Sequence, residues 1–198
     1  MLIPDGYTDL PAGKIASVVT YLEMTEPPKS APVASSAGWA LRRHGAPDLD
    51  WYRRLFRAIG EDWLWFSRLQ MTDDVLRSIV HDPAVDVFTF EVDGTEKGIL
   101  ELDRREMPDV ELAFIGLKND AIGIGAGKYL LDQAIRLAWS HDPRRVLVHT
   151  CTLDHPRALG LYRGAGFVAY KRAIEVADDP RVDGVLSSSA APDHPILA

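Results

Sequence analysis

Cysteine is almost missing: Cys151 is the only one in 198 residues. A single thiol excludes an intrachain disulfide framework and a cysteine-rich metal site, and no group of His, Asp and Glu has metal-ligand spacing. Long apolar runs are missing as well. None approaches the roughly 20 residues that cross a bilayer, so no membrane partner is expected. The N-terminal stretch MLIPDGYTDLPAG lacks the basic-then-apolar order of a secretion signal, and a cytoplasmic location is the expectation. Positive charge is in deficit, with 22 Lys and Arg against 29 Asp and Glu and a net charge of −7. That balance argues against a nucleic-acid partner, which needs a basic face, and suits a neutral or cationic one. No internal repeat is present. The remaining proportions, 46% apolar and 26% charged, are those of a globular domain with a core of its own.

IASVVTYLEM (15–24) reads as a strand, rich in β-branched residues. A proline-rich loop (25–38) and a short strand, WALRRH (39–44), follow. In DLDWYRRLFRAIG (48–60), Tyr52, Leu55, Phe56 and Ile59 recur at helical spacing and Gly60 is a stop. Thr72 caps a second helix with Val75, Leu76, Ile79 and Val80 as its apolar stripe. VDVFTFEV (85–92) and TEKGILELD (95–103) flank Asp93-Gly94, a hairpin signal, and VELAFIGL (110–117) is a further strand. A helix over 126–140, a strand over 144–151, a helix from about Asp154 to Ala165 and a strand over 166–177 complete the order. The tail from 179 to 198, rich in Pro, Ser and Asp, is expected to be loose, leaving one domain over 1–178. Hairpin-linked strands ahead of a βαβ crossover imply an α/β (α+β) fold with a mixed sheet.

The stretch IGIGAGKYLL (122–131) carries three glycines at a strand-to-helix turn. Such turns cradle phosphate, because bare backbone N–H groups and the positive helix end face the anion. The Rossmann spacing G-x-G-x-x-G is not met by Gly123, Gly125 and Gly127. A P-loop fails too, since Ile122 stands at its first glycine and Tyr129 at its hydroxyl residue. A turn that serves only close packing is the simpler alternative.

Thirty residues on stands His155-x-x-Ala158-x-x-Leu161-Tyr162-x-x-x-Gly166-Phe167. Together with Gly125-x-Gly127 and Leu130-Leu131, it resembles the GNAT superfamily of N-acetyltransferases, whose signatures are [RQ]-x-x-G-x-[GA] and N-x-x-A-x-x-L-Y-x-x-x-G-F. The resemblance covers about residues 39–170. It departs at Ile122, where arginine or glutamine is usual, and at His155, where asparagine is common.

The resemblance implies a mostly antiparallel twisted sheet flanked by helices, with an extra strand at the N-terminus. It implies acetyl-CoA as co-substrate and no metal. Its pyrophosphate would meet backbone N–H groups of Ile122, Gly123, Ile124, Gly125, Ala126, Gly127 and Lys128, and His155, Ala158 and Tyr162 would also contact the cofactor. Its pantetheine arm would lie along Ile115, Gly116 and Leu117, with the Leu117 N–H as oxyanion donor. Tyr162 matches the family's acid near the sulfur, and Glu111 the base of the histone-acetyltransferase branch. Strand alternation puts Glu111 on the face of Ala113 and Ile115. Glu23 and Glu101 are alternative bases, Cys151 is a less favoured nucleophile, and His149 reads as a core or interface residue. Trp63, Trp65 and Phe66 are expected to divide between an acceptor wall and the core.

The implied activity is direct acetyl transfer to a primary amine of a small molecule or protein. A non-catalytic acyl-CoA sensor or scaffold is the alternative, and transfer of a longer acyl chain or to a non-amine a third. Exposed edge strands leave a homodimer open.

Overall fold

The structure is a computed structural model and describes residues 5–197. Its strands are β1 (Lys14–Met24), β2 (Trp39–His44), β3 (Val85–Val92), β4 (Thr95–Asp103), β5 (Asp109–Leu117), β6 (Arg145–Cys151) and β7 (Val168–Asp178). The helices are α1 (Leu49–Gly60), α2 (Asp73–Val80), α3 (Ala126–Trp139) and α4 (Ala158–Gly164). One seven-stranded sheet runs β2-β3-β4-β5-β6-β1-β7. Only β5 and β6 are parallel, so the sheet is mixed and mostly antiparallel, with the N-terminal strand inserted between β6 and β7. No helix among the described residues is long and apolar enough to cross a membrane.

Local chemistry explains the elements. The Asp48 carboxylate accepts the Trp51 N–H at the start of α1, and the Thr72 hydroxyl accepts the Val75 N–H at the start of α2. Asp93 and Gly94 both adopt positive φ, which turns β3 tightly into β4. Each sheet face carries a core. Leu22, Leu100, Leu112 and Val148 pack on one side against Leu130, Leu131 and Ala134 of α3. Val87 and Ile99 pack on the other against Tyr52, Phe56 and Ile59 of α1 and Leu76 of α2.

Several expectations are corrected. Val75 faces solvent rather than joining the α2 stripe. The last helix begins at Ala158, because the Asp154 carboxylate instead holds the Thr150 hydroxyl and the Cys151 N–H in a turn. A bulge at Ala113 pairs Glu101 with Phe114 and Leu102 with Leu112, which reverses the alternation of β5. Val110, Leu112, Ile115 and Leu117 therefore share the α3 face, while Phe114 packs with the α1 core. Glu111 lies opposite Ile115, not beside it. The tail is not loose either. Leu186, Ala190 and Ala191 are buried against Leu64, Phe66 and Ile15. Arg181 anchors it, pairing with Asp179 at 2.7 Å and donating to the carbonyls of Ala190, Ala191 and His194.

One polar group lies within the apolar region between α1 and the sheet. The Glu101 carboxylate, fully buried, accepts from the Tyr52 hydroxyl and the Arg68 guanidinium, each at 2.5 Å. Removing one partner from a buried ion pair strands the other charge. Glu101→Ala is expected to cost about 3–5 kcal/mol, read from urea unfolding. A loss below about 1 kcal/mol would mean that Arg68 finds water instead.

Candidate active site

β5 and β6 pair only from Asp109↔Arg145 to Glu111↔Leu147. Beyond Glu111 the two strands part. β5 stays bonded to β4, and β6 is held to β1 from Val19↔Cys151 to Met24↔Val146. The gap opens into a cavity of about 790 Å³. Backbone orientation along it follows from one bond. The Lys118 N–H donates to the Lys97 carbonyl across on β4, at 2.8 Å. Alternation then turns the N–H and C=O groups of Leu117 and Ile115 away from β4, into the gap. Gly116 between them is required by packing: a Cβ there would meet Ile59 at 2.6 Å and Trp65 at 2.9 Å.

At the end of the gap lies the glycine turn. Gly123 (φ +93°) and Gly125 (φ +90°) hold backbone that L side chains rarely adopt. Gly125 opens α3 with no side-chain cap, so the N–H groups of the helix's first turn are free to meet an anion. A Cβ built on Gly123 meets nothing within 4 Å, and the side chain of Ile124 points to solvent. Ala126 is buried in the core, contributing its backbone alone. Lys128 lines the cavity and makes no ion pair among the described residues. Ile122 departs from expectation: its N–H already donates to the Asn119 carbonyl at 3.2 Å, which removes it from the cradle.

Tyr162 projects from α4 into the cavity, its ring edge-on to Phe167. Among the described residues nothing bonds its hydroxyl. Burial and the nearby Asp154 carboxylate push its pKa up, so the phenol keeps its proton. His155 and Ala158 line the same wall. The His155 Nδ1 accepts the Arg157 N–H at 3.1 Å, an acceptor role in the turn that asparagine also performs, and its ring packs on Trp63 at 5.0 Å.

Glu111 and His149 meet across the strands where the gap begins, Oε1 to Nδ1 at 3.0 Å, both half-exposed to the cavity. This hydrogen bond holds the His149 pKa above its ordinary value, against the opposing effect of burial. His149 is thus not a core residue; it is half-exposed and paired with Glu111. The other candidate bases are occupied. Glu23 pairs with Arg145 at 2.7 Å, and Glu101 is fully buried in its own ion pair. Burial and Asp154 push the Cys151 thiol up, which disfavours the thiolate a nucleophile needs.

Trp63, Trp65 and Phe66 all line the cavity, with different partners. Trp65 packs between Phe56 and Phe114 and donates its indole N–H to Asp154 at 3.0 Å, so it belongs to the core. Phe66 rests on the tail cluster. Trp63, half-buried, sits tilted against the His155 ring and faces the cavity. Asp154 is the residue that sequence reasoning missed. It ties the end of β6 to the Trp65 indole and raises the Tyr162 pKa. Among the described residues no three His, Cys, Asp or Glu side chains converge as metal ligands.

A family model described as "Acetyltransferase (GNAT) family" matches residues 49–167. No curated protein matches the chain by sequence. Solved structures share the fold. A GCN5-related N-acetyltransferase from Sphaerobacter thermophilus superposes with a TM-score of 0.60 at 21% identity, covering 82% of this chain and 52% of that one. One from Kribbella flavida gives 0.56 at 16%, covering 85% and 60%. An aminoglycoside acetyltransferase from an uncultured soil metagenomic sample gives 0.55 at 18%, covering 70% and 93%. The chain thus spans about half of the Sphaerobacter protein's length.

The glycine turn generates a paired test. A Cβ on Gly127 would sit 3.8 Å from Leu117 and Leu161, an ordinary contact, whereas a longer side chain fills the cradle. Gly127→Ala should leave CoA affinity within about threefold and Gly127→Leu should weaken it by about tenfold or more, both with a near-native melting temperature. Equal affinities by calorimetry would remove the turn from the binding site.

Proposed function

The chain belongs to the GNAT acetyltransferase family, and on that premise we propose that it transfers an acetyl group directly from acetyl-CoA to the primary amine of a small molecule or protein. The observation that carries this reading is the gap between β5 and β6. Its free backbone groups, glycine cradle and two proton-handling side chains lie along one cavity.

Each residue has a role in this reading. The N–H groups of Gly123 to Lys128 hold the pyrophosphate, aided by the α3 dipole, which contributes about 0.3–1 kcal/mol or more when sheltered. Ile115 and Leu117 bond the pantetheine arm as an added strand would. The Leu117 N–H stabilises the oxyanion formed as the amine attacks; donors of this kind are worth roughly 3–4 kcal/mol where removed. Acetyl-CoA supplies the activated acyl group. Tyr162, held protonated, donates to the departing sulfur. The Glu111–His149 pair takes the proton from the acceptor ammonium, the ring receiving it and the carboxylate stabilising the imidazolium. Trp63 offers an aromatic face to the acceptor.

The pH dependence tests the pair. An imidazolium cannot accept a proton, so kcat/KM should fall as pH drops through the raised His149 pKa. Glu111→Gln removes the hydrogen-bonded charge that raises it, so the acidic limb should move to lower pH and the plateau should drop. An unmoved limb would assign the base elsewhere. Tyr162→Phe should lower kcat by about 100-fold or more, with little change in acetyl-CoA affinity. An unchanged kcat would end the acid assignment. Acetyl-CoA binding without turnover on any amine would favour the sensor reading.

A further inference from the structure

The two edges of the sheet are built differently. At one end, β2 is six residues long and carries Arg42 and Arg43. Short, charged edges resist pairing with another chain. At the other end, β7 runs for eleven residues with no proline, and along its outer edge none of the described residues bonds its backbone. It is exposed on nearly every residue, including Ile174 at 51% and Val176 at 54%, and Val18 beside Ile174 on β1 is 43% exposed. Most native edges of this length are covered, bulged or charged against association. β7 has one bulge, at Tyr170, where the register passes from Tyr21↔Lys171 to Leu22↔Ala169, and from Lys171 to Asp178 it pairs regularly with β1. Along this regular stretch Lys171 and Glu175 stand symmetrically about Ala173.

We propose that β7 pairs antiparallel with β7 of a second copy, about a two-fold axis perpendicular to the sheet through Ala173. Antiparallel pairing about that residue sets Lys171 opposite the partner's Glu175, and Glu175 opposite the partner's Lys171. Moving the axis one residue earlier, to Arg172, would set that arginine against its own copy, a repulsive pair. Moving it one later, to Ile174, leaves both charges opposite alanines. On the opposite face the Ala173 register brings the two copies of Ile174 into diagonal contact, within reach of large side chains. Ala173 itself is small enough to face its copy. The seven-stranded sheets then join into one continuous sheet.

This interface is independent of the proposed activity, yet it reaches the site. Glu175 lines the cavity and lies near His149. The dimer therefore sets the partner's Lys171 at the acceptor-side rim, where neither chain alone has this cation–carboxylate pair.

Sedimentation and light scattering of the whole chain at high micromolar concentration test the proposal. The wild type should have twice the mass of one chain. Lys171→Glu and Glu175→Lys, each on an exposed strand, should halve that mass while leaving the melting transition cooperative. The double variant K171E/E175K should restore the dimer. A monomeric wild type, single variants that stay dimeric, or a double variant that stays monomeric would each overturn the interface.

Discussion

Two parallel strands that stay bonded for three residue pairs and then separate leave backbone N–H and C=O groups unpaired inside a sheet. Each such group costs roughly 1–3 kcal/mol unless water or a ligand satisfies it. The fold accepts that cost because both strands are held from outside. β4 fixes β5 along its length, and β1 fixes β6 from Val19 to Met24. The N-terminal strand is thus part of the site's framework, although it lies beyond residues 49–167 where the family model matches. The bulge at Ala113 completes the arrangement. It twists the end of β5 and turns Ile115 and Leu117 onto the α3 face, above the helix that the glycine turn opens.

The side chains proposed to handle protons follow from the same division. Tyr162 stands on α4 with its proton held by burial and by Asp154. Glu111 and His149 stand where the strands begin to part, half-exposed and bonded to one another. A protonated donor at one wall and a carboxylate–imidazole pair at the other are what acyl transfer between sulfur and nitrogen requires. Asp154 links the two walls. It bonds the end of β6, anchors Trp65 and raises both Tyr162 and Cys151.

Much of this was legible in the sequence, and the misses have physical reasons. Apolar period, caps and the Asp93-Gly94 turn gave the element order, because those signals are local. Gly123 and Gly125 marked the strand-to-helix turn, because positive φ leaves a composition trace. The faces of β5 were misread because a bulge depends on its partner strand and has no signature of its own. The pairing of His149 with Glu111 was not visible because it depends on inter-strand register. The Ile122 N–H was assigned to the cradle because its bond to Asn119 forms only in the folded turn. The tail looked loose by composition, yet Arg181 and three buried apolar side chains fix it to the sheet.

Calorimetric titration of the wild-type chain with acetyl-CoA, with thermal melting alongside, asks whether the gap and its glycine turn hold that ligand. Saturable one-site binding is expected, with about 2.7 kcal/mol of added stability when the free ligand reaches 100 times its Kd. Absence of both heat and melting shift at millimolar acetyl-CoA would contradict it, and would leave a sheet that kept its opening without its ligand.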